Sequence, residues 1–141
     1  MTKKLDLKGL SSIADNYDLF YIDLWGVIHN GIRLHEKAII VLKELLEKNK
    51  RFVLLTNAPR PNKTVKNFLE KMGMDKELRD HVFTSGEAAL SFLEKNFLFK
   101  KFYHIGPPRD FDLFNLFKDN KCDEIKKSEY IICTGLFDEF N

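Results

Sequence analysis

The sequence has little of what marks a specialised chain. Of 141 residues only two are cysteine, Cys122 and Cys133, while seven are glycine and four proline. Two thiols outside any Cys-x-x-Cys pair exclude a disulfide scaffold and read as plain reduced thiols. So few glycines and prolines, beside 44% hydrophobic residues, exclude collagenous and disordered chains. The longest apolar run, Ala38 to Leu42, is five residues, against roughly 20 for a spanning helix. No membrane partner is expected. An excess of one charge is missing too: 23 Lys+Arg against 21 Asp+Glu give a net +2, which excludes a broad basic footprint for nucleic acid. The start, Met1-Thr2-Lys3-Lys4-Leu5-Asp6, has no apolar stretch behind it, so no secretory signal and a cytoplasmic location are expected.

What is present is the alternation of short apolar runs with helical periodicity that predicts βαβ units around a parallel sheet. Leu19-Phe20-Tyr21-Ile22 reads as a buried strand, and 52–55, 81–83, 102–105 and 130–133 as further strands. Between them Ala38, Leu42, Leu45 and Leu46 line one helix face, and Val65, Phe68, Leu69 and Met72 another, with Gly73 at the left-handed end position. Thr84-Ser85-Gly86-Glu87 has the form of a capping box before a helix with Ala89, Phe92, Leu93 and Phe97 inward. A short helix is expected over 110–117.

Parallel sheets bind ligands outside the carboxyl ends of their strands, so the residues after each apolar run carry the functional reading. Asp23 follows four apolar residues. A carboxylate there would be partly desolvated and would need a cation or donors, although an Asp capping a turn needs neither. Thr56-Asn57, then Ala58-Pro59-Arg60, offer a hydroxyl, an amide, backbone N–H groups and a cation that together suit an anion, or else simply open the next helix. Gly106 and Gly135 read as turns and Arg109 as an exposed side chain. His29, His35, His81 and His104 lack metal-ligand spacing and read as surface or packing residues. Dinucleotide, P-loop and serine-hydrolase motifs do not occur.

The stretch Phe20 to Gly31, FYIDLWGVIHNG, resembles the first motif of the haloacid dehalogenase superfamily. Leu54-Leu55-Thr56-Asn57-Ala58-Pro59-Arg60 resembles the second motif of its class IIA branch, the phosphatases with an inserted α/β cap. Thr84 to Ala89, Tyr103 to Gly106 and Ile131 to Gly135 are similar to that branch in the same order. The resemblance implies a Rossmann-like, three-layer parallel sheet over residues 1–98, incomplete here, and the start of an α/β cap over 99–141. It implies a phosphatase of small phosphorylated metabolites using Mg²⁺, with Asp23 as nucleophile and metal ligand and the backbone carbonyl of Trp25 as a second ligand. Thr56 would act on the transferring phosphoryl group, with Asn57, Arg60 and Gly26 binding it.

Two departures accompany the resemblance. Trp25 stands where the family places its acid/base Asp, and the third and fourth motifs, a Lys and an acidic pair, would follow the cap and are not in this sequence. The expectation is therefore an amino-terminal portion, with an unpaired sheet edge that invites a second copy or a complementing chain. A non-catalytic phosphate-binding or interaction module is the alternative, and a haloacid dehalogenase a weaker one.

Overall fold

The computed structural model describes residues 9–137, so the charged start lies outside it. β1 (Leu19–Asp23), β2 (Arg51–Thr56) and β3 (Val82–Thr84) form one parallel sheet in the order β1-β2-β3. β4 (Phe102–Ile105), β5 (Lys121–Cys122) and β6 (Tyr130–Cys133) form a second in the order β5-β4-β6. The α/β fold expected from the sequence is the one observed. Among the described residues no helix is long and apolar enough to cross a membrane.

The register of the first sheet pairs Phe20 with Phe52, Ile22 with Leu54, and Leu54 with Val82. Paired residues of a parallel ladder share a face, so these side chains form one apolar surface. α1 (Glu36–Glu47) sets Leu42 and Leu45 on it, and α2 (Asn62–Lys71) sets Val65 and Leu69 there. Both helices fall on this side, as right-handed crossovers that step in the same direction, β1 to β2 to β3, require. α2 ends as expected, with Gly73 at φ 86°.

Among the described residues the opposite face has no such cover, which corrects the reading of Leu19 to Ile22 as a buried strand. Phe20 and Ile22 are half-buried, whereas Leu19 and Tyr21 are exposed. Among the described residues β1 pairs with β2 alone and is an edge.

The helix after β3, here numbered α4 (Ser85–Phe97) because a single turn, α3 (Lys76–Arg79), precedes β3, is capped by Thr84, whose Oγ1 accepts from the Glu87 N–H at 2.9 Å. The reciprocal half of the capping box is redirected. Glu87 Oε2 accepts from Asn62 N at 2.8 Å, and Thr84 N donates to Asn62 Oδ1 at 2.9 Å, which ties the starts of α2 and α4 together. The inward residues of α4 are Gly86, Leu90 and Leu93, not the expected Ala89 and Phe92, which are exposed. The reason is the partner: Leu90 and Leu93 pack with Phe102, Leu113, Phe114 and Phe117 of the second sheet and its turns.

The helix expected over 110–117 is a 3₁₀ segment, Pro108–Phe114. Its buried residues, Asp110, Leu113 and Phe114, include a spacing of three that suits three residues per turn. β5 and α3 are too short for periodicity to reveal. Leu54→Ala, in the closed face, should cost about 2–5 kcal/mol in urea unfolding, whereas Leu55→Ala, one residue on in the open face, should cost less than about 1 kcal/mol. Equal costs would contradict the assignment of the two faces.

Candidate active site

β1 and β2 end side by side, with Asp23 opposite Leu55 and Thr56 one residue further. Asp23 is exposed rather than partly desolvated, because it ends an edge strand on the uncovered side of the sheet. Its Oδ1 accepts from Leu24 N at 2.9 Å. The next residues close a tight loop around one carbonyl: Leu24 O accepts from Ile28 N at 2.9 Å and His29 N at 3.2 Å. Gly26 N donates to His29 O at 2.7 Å, so this N–H is spent inside the loop. Leu24 and Ile28 are buried and anchor the loop in the core.

That anchoring sends neighbouring side chains in opposite senses. Trp25 is 64% exposed, while His29 is 4% exposed, with its ring edge-on to Trp25 at 5.4 Å and to Phe68 at 5.7 Å. His29 Nδ1 accepts from Gly31 N at 3.0 Å, which in the neutral ring leaves the proton on Nε2. Burial pushes His29 below the usual histidine range, His35 adds to this, and the Asp23 charge opposes it.

On the second strand, Thr56 is half-buried and its Oγ1 accepts from Ala58 N at 3.2 Å. Asn57 is exposed, and its carbonyl accepts from Ser85 Oγ at 2.8 Å. Arg60 is held twice. Its carbonyl accepts from Thr84 Oγ1 at 2.5 Å, and its Nε lies 3.4 Å from Oδ1 of Asp110, a carboxylate only 3% exposed. The Thr64 hydroxyl donates to Asp112 beside this pair. Two contacts thus bind the start of α2 to the segment after β4, and Gly86 lies so close behind that any Cβ there would overlap the Arg60 backbone.

A cavity of about 400 Å³ opens between these elements, within the size range of small-molecule sites. Trp25, His29, Thr56, Arg60, Phe68 and Thr134 are on its wall. The cavity unites three of the sequence-nominated residues, Trp25, Thr56 and Arg60. Asp23, Gly26 and Asn57 are not on the wall, although Leu24 and Trp25, the two residues that follow Asp23, are. Sequence reasoning missed His29, Phe68 and Asp110. Asp110 carried no usable signal, since Arg109 and Asp112 flank it in the sequence; its burial and its pairing with Arg60 come from the fold. Across the cavity, Thr134 Oγ1 lies 2.8 Å from His104 Nε2. Burial lowers the His104 pKa, Lys121 adds to this, and Asp110 opposes it.

No group of three His, Cys, Asp or Glu among the described residues is arranged to hold a metal ion. Mg²⁺ is commonly held by one or two carboxylates with water and substrate phosphate filling the rest. The exposed Asp23 carboxylate, with one oxygen taking no hydrogen bond among the described residues, fits that donor set.

The profile of the haloacid dehalogenase-like hydrolases matches residues 20–116. Among proteins of curated function no match is found. A haloacid dehalogenase-like hydrolase from Brucella suis is similar at 30% identity and a TM-score of 0.79, over 92% of this chain and 46% of that one. A 4-nitrophenylphosphatase from Thermotoga maritima is 27% identical with a TM-score of 0.65, over 86% of this chain and 46% of its own. A glycerol phosphate phosphatase from Mycobacterium tuberculosis, solved with magnesium, shares the fold at 21% identity and a TM-score of 0.65, over 89% and 38%. The chain spans less than half the length of these three solved structures.

A histidine whose folded pKa lies below its unfolded value of 6.5 resists protonation only when folded, so its contribution is present above pH 6.5 and is lost as pH falls below it. The urea midpoint should therefore fall between pH 7.5 and 5.5, and the fall should be smaller in His104→Gln. A midpoint that rises over this range would contradict the burial of His104.

Proposed function

We propose, for a chain that belongs to the haloacid dehalogenase-like hydrolases, that Asp23 is the nucleophile of a phosphate-ester hydrolase in the cytoplasm, acting on small phosphorylated metabolites. The observation that carries this reading is an exposed carboxylate at the end of β1, beside the end of β2 and followed directly by Leu24 and Trp25, which share the wall of a cavity with Thr56 and Arg60. The similarity to a 4-nitrophenylphosphatase supports the reaction class. Residues 1–98 then form the amino-terminal part of a class IIA core, and 99–141 begin its cap.

In this reading Asp23 attacks phosphorus, forming an acyl phosphate as the ester P–O bond breaks, and water later releases phosphate and restores the carboxylate. The Thr56 hydroxyl donates to the phosphoryl oxygens on which charge gathers. Arg60 adds positive charge at the wall, moderated by Asp110, whereas Asn57 and Gly26, off the wall, are left without the phosphate contact expected of them. Mg²⁺, held by Asp23 and the Trp25 carbonyl, would offset the repulsion between carboxylate and phosphate.

Trp25 sets the limit. The leaving oxygen needs a proton, and an indole at that position has no acid to give. A missing general acid is worth roughly 10²–10⁴-fold in rate, so esters whose leaving group is stable as an anion are favoured. His29, in the same wall, does not replace that acid, since burial favours its neutral ring.

With Mg²⁺ present, an activated aryl phosphate should be turned over faster than an alkyl phosphate, and Asp23→Asn should lower kcat by at least about 10³-fold. Turnover that survives this substitution would overturn the assignment. Trp25→Asp should raise turnover of the alkyl ester by about 10²-fold, the value of a restored acid. Trp25 also favours a second reading, a module that binds phosphate without chemistry; calorimetric phosphate binding in the absence of any turnover would select it.

A further inference from the structure

The loop after β1 uses its apolar residues unequally. Leu24 and Ile28 are buried in the core, whereas Trp25 keeps 64% of its surface exposed. Such an indole, the only one in the chain, adds little to the core, yet its neighbours fix its position. His29, itself buried, meets it edge-on with ring centroids 5.4 Å apart. The six-membered part of the indole lies against Gly31, where an added Cβ would stand 2.6 Å from its Cη2. Only a residue without a side chain leaves room for the ring there, and Gly31 at φ 88° has a backbone that favours glycine in any case. The Gly31 N–H donates to His29 Nδ1, so both neighbours of the indole are tied to each other. Trp25 is held in place while most of its surface stays open.

Phe68, from α2, repeats the arrangement on the same cavity wall. It meets His29 edge-on with ring centroids 5.7 Å apart and is 39% exposed. Leu24 and Val65 extend this apolar part of the wall, and Thr56 and Arg60 supply a polar part suited to an anion. The cavity thus offers both an anion site and an aromatic surface. An ester whose phosphoryl group lies between Asp23 and Thr56 turns its organic group toward the apolar part, and the wall residues that directly follow Asp23 are Leu24 and Trp25. A flat ring gains stacked or edge-to-face contact with a fixed indole beyond the area it buries. An aliphatic group of the same size gains the area alone.

We propose that Trp25 is the specificity-determining residue of this site, and that the ester it selects carries a planar aromatic ring joined to the bridging oxygen. The proposal rests on the reading of Asp23 as nucleophile, which sets the phosphoryl group beside the indole. Two properties of Trp25 then agree. A phenolic oxygen leaves as a stabilised anion and tolerates the missing acid, and its ring is the group that an indole surface holds well. Selection by ring contact also acts on ligands that cannot react.

The test titrates the full chain, with Mg²⁺, with phenylphosphonate and with cyclohexylphosphonate, which share charge and approximate bulk and cannot be hydrolysed. Calorimetry should show phenylphosphonate bound at least about 3-fold tighter. Trp25→Ala should bring the ratio of the two affinities to about one, and Trp25→Phe should keep most of it, with the circular dichroism of both variants unchanged. The ratio compares two ligands on one variant, so a general weakening of phosphonate binding leaves it unaltered. 4-Nitrophenylphosphonate, a quencher of indole emission, should quench the sole Trp saturably, and inorganic phosphate should reverse the quenching. Equal affinities in the parent chain, a ratio indifferent to Trp25→Ala, or no phenylphosphonate binding at millimolar concentration would overturn the proposal. Aryl phosphate turnover that survives Asp23→Asn beside an intact ratio would remove the catalytic reading and leave ring recognition standing. Turnover lost with Asp23→Asn beside a ratio of one would do the reverse.

Discussion

The pairing register of β1 on β2 is the constraint on which the rest depends. Matching Phe20 to Phe52 and Ile22 to Leu54 puts these two apolar pairs on the face covered by α1 and α2. A slip of one residue would turn that set outward and move Asp23 away from the end of β2, so core and site are specified by the same ladder. The loop after β1 follows from it: Leu24 and Ile28 complete the apolar cluster, and their burial divides Trp25 from His29, one outward and one inward.

A second constraint joins the two sheets. Arg60 with Asp110 and Thr64 with Asp112 fasten the start of α2 to the turn after β4, and both lie at the cavity. A carboxylate as enclosed as Asp110 would be costly alone, and the guanidinium beside it reduces that cost. The same pairing tempers the charge that Arg60 offers to an anion. Gly86 sets the clearance, since any side chain there would push on the Arg60 backbone and with it the cavity wall.

The alternation of strands and helices was legible because Leu42, Leu45, Val65 and Leu69 repeat at helical spacing and because turn residues punctuate the apolar runs. Asp23, Thr56 and Arg60 were legible as strand-end polar groups. Face assignment was less so. Tyr21 and Leu19 read as buried because apolarity alone does not reveal an uncovered sheet, and of the α4 residues expected inward Leu93 and Phe97 pack there while Ala89 and Phe92 do not, because its partner is a sheet that comes later in the chain. The burial of His29 was hidden for a related reason, since it is set by the plugging of Leu24 and Ile28 and by Phe68, which arrives from α2. The desolvation expected of Asp23 failed because an edge strand leaves its end open to water.

The central claim is that one carboxylate at the mouth of the first sheet accepts the phosphoryl group. Acid quenching during exposure to an activated aryl phosphate with Mg²⁺, followed by peptide mapping, measures this directly. An acid-stable, base-labile phosphoryl group is expected on the peptide containing Asp23. Phosphate release with no adduct there, or an adduct on another residue, would contradict it.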